Sequence, residues 1–263
     1  MSDQVKKVYF VSDIHLGAPA LKQNKERELL FVDWLKNVRN DASEIYLMGD
    51  IFDFWFEYKK VAPRGFVRVL GALADITDSG IPVHYFTGNH DFWIFDYLPQ
   101  ETGVTLHHDF LTKELNGKKF FLSHGDDLGE RDKGYQFIKK LFRNRFAQWA
   151  YSQLHPDTAF KVAHNWSKQS RLSKGGEGLG FLGEEKEEQI IFAKEILQKE
   201  HFDFFIFGHR HLAIDYPLNG SSRLIMLGEW FREFSYGVLE GQEFRIEKID
   251  REILNNYHIS SNR

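Results

Sequence analysis

Five short clusters of polar residues carry metal-binding and acid–base side chains. They are Asp13-Ile14-His15, Gly49-Asp50-Ile51-Phe52-Asp53, Gly88-Asn89-His90-Asp91, Ser123-His124-Gly125-Asp126 and Gly208-His209-Arg210-His211. Five of the chain's 12 histidines fall in them. This mixture of carboxylate, amide and imidazole suits Mn, Zn or Fe(II) better than Ca or Mg, which favour all-oxygen shells. Two ions would need one bridging carboxylate, and paired ions about 4 Å apart activate water and stabilise a phosphoryl group. Period two along an extended segment points Asp13 and His15 the same way, and His209 and His211 likewise. One Asp-x-His or Gly-Asp pair alone means little, because Asp caps helices and Gly ends strands everywhere. Five clusters, each after a predicted strand, are not explained by capping.

The elements that must position these clusters follow from the apolar pattern. Strands read over 7–11, 44–48 and 83–87, each ending at a cluster, with helical spacing over 26–38 and 67–76 between them. That alternation predicts a parallel sheet with right-handed crossovers. Asn116-Gly117 signals a hairpin joining 110–115 to 118–123. A basic, helix-rich stretch covers about 132–169, a glycine-rich loop 173–183, a charged helix 184–200 and a strand 204–207. Short antiparallel strands follow. Open α/β sheets place their sites in loops after the carboxyl ends of strands. The predicted fold class is α/β, a four-layer α/β/β/α sandwich with an inserted helical cap. Core residues are 1–130 and 176–250, the cap is 131–175, and 251–263 is a loose tail.

Composition narrows the chemistry. The 263 residues are 42% hydrophobic and 27% charged, which excludes a disordered chain. There is no cysteine, so disulfides, thiolate catalysis, iron–sulfur clusters and Cys-type zinc fingers are out. Met1-Ser2-Asp3-Gln4 is polar, and no run of about 18 apolar residues occurs, so a cytoplasmic location is expected. The net charge of -4 argues against a general nucleic-acid binder. It hides an asymmetry: Arg131 to Lys174 holds ten Lys/Arg and two Asp, a local +8 against -12 elsewhere.

The clusters are similar to the motif set of the calcineurin-like metallophosphoesterases: DxH, GDxxD/E, GNH(D/E), a later His, and GHxH. The resemblance implies one divalent ion on Asp13, His15, Asp50 and His211. It implies a second on Asp50, Asn89, His124 and His209, with Asp50 as bridge. Asn89 then stabilises charge on oxygen, His90 acts as acid or electrostatic stabiliser, Asp91 orients His90, and Asp53 stands behind the ligands. The stretches 48–55 and 123–136, and Leu227-Gly228-Glu229-Trp230, are similar to the UDP-2,3-diacylglucosamine pyrophosphohydrolases of lipid A synthesis. This similarity spans residues 6–248 and implies Mn-dependent release of UMP and 2,3-diacylglucosamine 1-phosphate (lipid X). It also implies peripheral attachment to the cytoplasmic side of the inner membrane of Gram-negative bacteria. His90 departs from the enterobacterial members, which carry Arg there, and follows the broader phosphoesterase pattern. Alternatives are a phosphodiesterase or phosphatase for another nucleotide-type substrate, and a non-catalytic binding module. The complete ligand set disfavours the second.

Eight aromatic residues lie between Tyr135 and Trp166, within the basic segment. Small helices need an apolar face simply to dock, and Lys and Arg commonly form a solvated face. As a groove for acyl chains, the aromatic face would gain about 0.8 kcal/mol per buried CH₂. The basic residues would meet a diphosphate or an anionic membrane surface, each worth about 1 kcal/mol there. Tyr135, Asn165, Lys168, Arg171 and Lys174 are the expected substrate contacts in the cap. Lys168 and Arg171 share roughly one helical face. Trp55 and Asn89 are the expected contacts in the core.

Overall fold

In a computed structural model, residues 6–126, 128, 142–173 and 180–259 are described. Alternation along β1 (Lys7–Val11) sets the layers. Tyr9 and Val11 face a core shared with helices, while Val8 and Phe10 face a core between two sheets. β1 pairs in parallel with β2 (Ala42–Leu47), and β3 (Val83–Phe86) and β4 (Thr105–His107) continue in the same direction. Parallel neighbours require crossovers, supplied by α1 (Asn24–Val38) and α2 (Val67–Asp78), with α3 (Tyr97–Thr102) leading into β4. On its other side β1 takes β10 (Ser235–Glu240) antiparallel, and β11 (Glu243–Lys248) completes six strands in the order β11-β10-β1-β2-β3-β4.

The second sheet is built from β5 (Leu111–Leu115), β6 (Lys118–Leu122), β7 (Phe204–Phe207), β8 (Ala213–Pro217) and β9 (Arg223–Leu227), ordered β5-β6-β7-β9-β8. Its three inner strands are parallel and its edges antiparallel. The β5–β6 hairpin turns at Asn116-Gly117, with both residues at positive φ. Phe10 stacks on Tyr46 and Phe120 between the sheets. α6 (Glu188–Leu197) covers the far face, setting Ile190 and Ala193 against Phe121, Phe205 and Phe207. The layers are therefore helix, sheet, sheet, helix, as the α/β/β/α reading expects.

α4 (Arg145–Ser152) and α5 (Pro156–Ser173) lie in the expected cap; the expected boundaries at 130/131 and 175/176 fall outside the described residues. Asn144 caps α4 by accepting from the backbone N–H groups of Phe146 and Ala147. Tyr151 packs on Phe54, Phe56 and Trp93, and Phe160 packs on Phe54. The aromatic run 92–95 thus helps seat the cap, and Trp93 Nε1 donates to the Phe142 carbonyl at 3.0 Å.

The loose tail is corrected. Residues 251–256 form α7 (Arg251–Asn256), and Leu254 and Ile259 are buried in the helix-side core. The short segment has too few turns to show a helical period, and tertiary burial decides its structure. The charged helix is likewise shorter than expected, spanning 188–197. Among the described residues no helix is long and apolar enough to cross a membrane.

Candidate active site

Loops leaving β1, β2, β3, β6 and β7 meet at one place. The β1 and β2 loops run side by side: Asp13 N–H donates to Gly49 O, and His15 N–H to Asp50 O, both at 3.0 Å. The two sheets join there, because His209 N–H donates to Asp13 Oδ2 at 2.9 Å and His124 Nδ1 to Met48 O at 2.8 Å. Asp13, His15, Asp50, His209 and His211 all adopt positive φ, between 48° and 66°. Side chains converge through left-handed turns, not through the extended period-two geometry expected from the sequence. Such turns cost about 1–3 kcal/mol each where no glycine relieves them. Glycine is required where the loops touch: a Cβ at Gly88 would overlap the Asp50 carboxylate, and one at Gly49 would overlap the His124 ring.

The ligand atoms form groups. Asp13, His15 and His211 make one; Asp50, His124 and His209 make another. In the first, His15 Nε2 and His211 Nε2 face each other at 3.1 Å, with Asp13 Oδ1 3.2 Å from His211. In the second, Asp50 Oδ2 lies 3.4 Å from His124 Nε2. The same oxygen is 3.8 Å from His15 Nε2, so Asp50 stands between the groups. Asn89 Oδ1 faces His209 Nδ1 at 2.9 Å. Asp13 Oδ1 and His124 Nε2 are buried without a hydrogen-bond partner. Buried unpartnered lone pairs are costly unless a ligand satisfies them, so the donor set fits divalent ions.

The electrostatics agree. Burial lowers His15 to about 4, keeping it neutral and able to ligate. Burial would raise Asp13, but the adjacent His211 imidazole outweighs it and holds Asp13 at about 2. Burial would lower His124, but the adjacent Asp50 carboxylate prevails and raises it to about 10. Its Nδ1 donates to a carbonyl, which leaves Nε2 directed to Asp50. An arriving cation would take the place of the Nε2 proton.

The family model for calcineurin-like phosphoesterases matches residues 6–213. The chain belongs to that family. The UDP-2,3-diacylglucosamine hydrolase of Porphyromonas gingivalis is 41% identical over 258 residues, covering 93% of this chain and 98% of that one. The enzyme of the same name from Aeromonas hydrophila is 28% identical over 243 residues, with 91% and 97% covered. The solved E. coli phosphoesterase Yfce aligns over 93% of this chain and 100% of its own, at 16% identity and a TM-score of 0.41.

In this calcineurin-like phosphoesterase the seven expected ligand residues lie together. Two other expectations change. Asp91 does not orient His90. Its buried carboxylate accepts from the N–H groups of Gly88, Asp50, Ile51 and Phe52 and from the Tyr85 hydroxyl, so it braces the loop carrying Asp50. Burial, with the Asp50 charge adding to it, raises Asp91 to about 6. His90 is held by Asp53: its Nδ1 donates to the Asp53 carbonyl at 2.9 Å, and its ring meets the His15 ring edge-on. Trp55 is fully buried, packs at a tilt against Phe52, and donates to Glu57 Oε1 at 3.0 Å. It is a core residue and not a headgroup contact.

Asn165 is exposed on α5. Lys168 and Arg171 belong to the same helix, with side chains outside the description, and Tyr135 and Lys174 lie outside the described residues. Sequence reasoning missed Ser167, whose hydroxyl donates to the Asp53 carboxylate at 3.0 Å. Asp53 Oδ1 is 3.6 Å from His15 Nδ1, so one carboxylate lies between the cap and a candidate ligand histidine. No local signal reveals a contact between residues 114 positions apart.

Proposed function

We propose that this phosphoesterase hydrolyses the pyrophosphate bond of UDP-2,3-diacylglucosamine, giving UMP and 2,3-diacylglucosamine 1-phosphate. The observation that carries the reading is the pair of adjacent histidine–carboxylate groups with Asp50 between them, in a chain 41% identical to a hydrolase of that name. Paired divalent ions, when bound, supply activated water and offset charge on the phosphoryl oxygens. Asp13, His15, Asp50, Asn89, His124, His209 and His211 would hold them, and this mixed donor set suits manganese. Water adds to the phosphorus next to uridine, and the bridging P–O bond breaks with its electron pair leaving on the sugar phosphate. His90 has its Nδ1–H committed to the Asp53 carbonyl, so it offers an Nε2–H to the developing oxyanion only as the imidazolium. Asn89 orients an oxygen of the attacked phosphoryl group.

The cap supports the acyl part of the reading: Phe54, Tyr151 and Phe160 line its seat beside Asp53. Phe146 and Trp149 are exposed on α4, with Arg145 and Lys161 exposed nearby in the sequence. That mixture suits an anionic membrane surface at the cytoplasmic side of an inner membrane. The test incubates the Mn-loaded protein with UDP-2,3-diacylglucosamine, UDP-glucosamine and single-stranded DNA. UMP released from the acylated substrate alone is the expected result. Equal cleavage of UDP-glucosamine would contradict the acyl reading, and cleavage of DNA alone would replace the function.

A further inference from the structure

The loop after β9 is a sixth approach to the site. Trp230 is fully buried; its backbone N–H donates to the Asp13 carbonyl at 3.2 Å and its Nε1 to Ser235 O at 2.8 Å. The buried Glu229 carboxylate accepts from the backbone N–H groups of Phe231, Arg232 and Glu233 at 2.6, 3.0 and 2.8 Å. The loop is therefore fixed to the backbone of a ligand residue. It sets the Phe231 ring 5.4 Å from the His211 ring and 6.1 Å from the His15 ring. The Arg232 guanidinium lies over Phe231, 5.6 Å from the ring centroid. Arg232 is exposed and, among the described residues, pairs with no carboxylate; neighbouring Glu233 is taken by Lys248 at 2.8 Å. A permanently charged donor fork, steadied by a ring, thus stands one aromatic side chain away from two ligand histidines.

We propose that Arg232 binds the second phosphate of a diphosphate ester, the one that leaves with the sugar, while the first lies at the histidine–carboxylate centre. Guanidinium matches phosphate oxygens two at a time, and a leaving phosphate carries charge beyond the reach of the centre's own donors. Phe231 sets how far the fork reaches. The inference rests on the phosphoesterase reading of the site, and it names a specificity residue for substrates with two phosphates over those with one.

The test is calorimetric titration of the Mn-loaded wild type, Arg232→Ala and Arg232→Lys with UDP and with UMP. Arg232→Ala is expected to bind UDP about tenfold more weakly and UMP within about twofold. Arg232→Lys should recover part of the loss, since an ammonium keeps the charge without the fork. Metal content, measured on the same samples, should not change. Unchanged UDP affinity, equal weakening of UDP and UMP, or no UDP binding by the wild type would each overturn the proposal. UMP release from UDP-2,3-diacylglucosamine by the wild type is assayed alongside. Its absence, with the UDP-specific loss intact, would remove the substrate assignment and leave Arg232 as a diphosphate contact.

Discussion

Two histidine–carboxylate clusters share the first sheet and are built in opposite ways. At the loop ends, the side chains of Asp13 and Asp50 meet backbone N–H groups and imidazoles, and among the described residues no lysine or arginine pairs with either. Within the strands, Glu44 Oε2 accepts from Lys113 Nζ and the Tyr46 hydroxyl, both at 2.6 Å, with His84 Nε2 at 3.4 Å. His84 Nδ1 in turn meets His107 Nε2 at 3.0 Å. The residue types are similar, but the second cluster brings its own cation and the first leaves its charge for something else. The missing lysine or arginine partner, rather than the presence of histidine and carboxylate, sets the loop-end cluster apart from the structural network.

The comparison can be broken most forcefully at Asp50. Asp50→Ala is expected to lower hydrolysis by at least about a thousandfold, because several kcal/mol of charge stabilisation depend on both ions. Steady-state UMP release measures it, with circular dichroism as the check on folding. A loss below tenfold would make Asp50 dispensable. Next comes Asp53→Asn, which removes the carboxylate charge beside His15 and loosens Ser167 while the Asp53 carbonyl keeps its hold on His90. A fall of about 10–100-fold in activity or metal affinity is expected. An unchanged metal titration together with unchanged kinetics would sever the link from cap to centre.

The Glu44 cluster should respond in stability alone. Glu44→Gln is expected to cost about 1 kcal/mol in urea unfolding and leave kcat unchanged. A large loss of activity would show that the two clusters are not separate. The smallest effect is on acid stability. Burial lowers His107 to about 4, so the unfolded chain binds its proton first and stability falls as pH drops from 6.5 towards 4. Glu44 is opposite in origin: burial would raise it, but hydrogen bonds from His84, Lys113 and Tyr46 hold it at about 2. Its contribution is present above 4.5 and lost as pH falls towards 2. Both groups are partly exposed, so each contributes less than about 1 kcal/mol after screening. His107→Gln should flatten the upper part of the acid limb in thermal unfolding, and an unaltered limb would contradict this assignment.

The gathering of these histidines and carboxylates was legible because each cluster closes an apolar strand, and strand ends in an open α/β sheet point to one edge. The sandwich was legible for a related reason: alternation in 7–11 and 204–207 faces two cores. Three things were not legible. Positive φ at Asp13 and His211 reflects how loops from two sheets fit together, which no single segment encodes. Trp55 reads as a substrate contact beside a candidate ligand loop, yet it is fully buried against Phe52 and Glu57. Asp91 looked like a partner for the adjacent His90, but four backbone N–H groups claim its oxygens. In each case long-range packing overrode sequence adjacency.

Metal analysis tests the central claim most directly. Protein dialysed against manganese and measured by inductively coupled plasma mass spectrometry should hold about two ions per chain, and folded Asp50→Ala about one or none. Wild-type protein without stoichiometric metal, or an Asp50→Ala variant that keeps both ions, would contradict a centre bridged by Asp50.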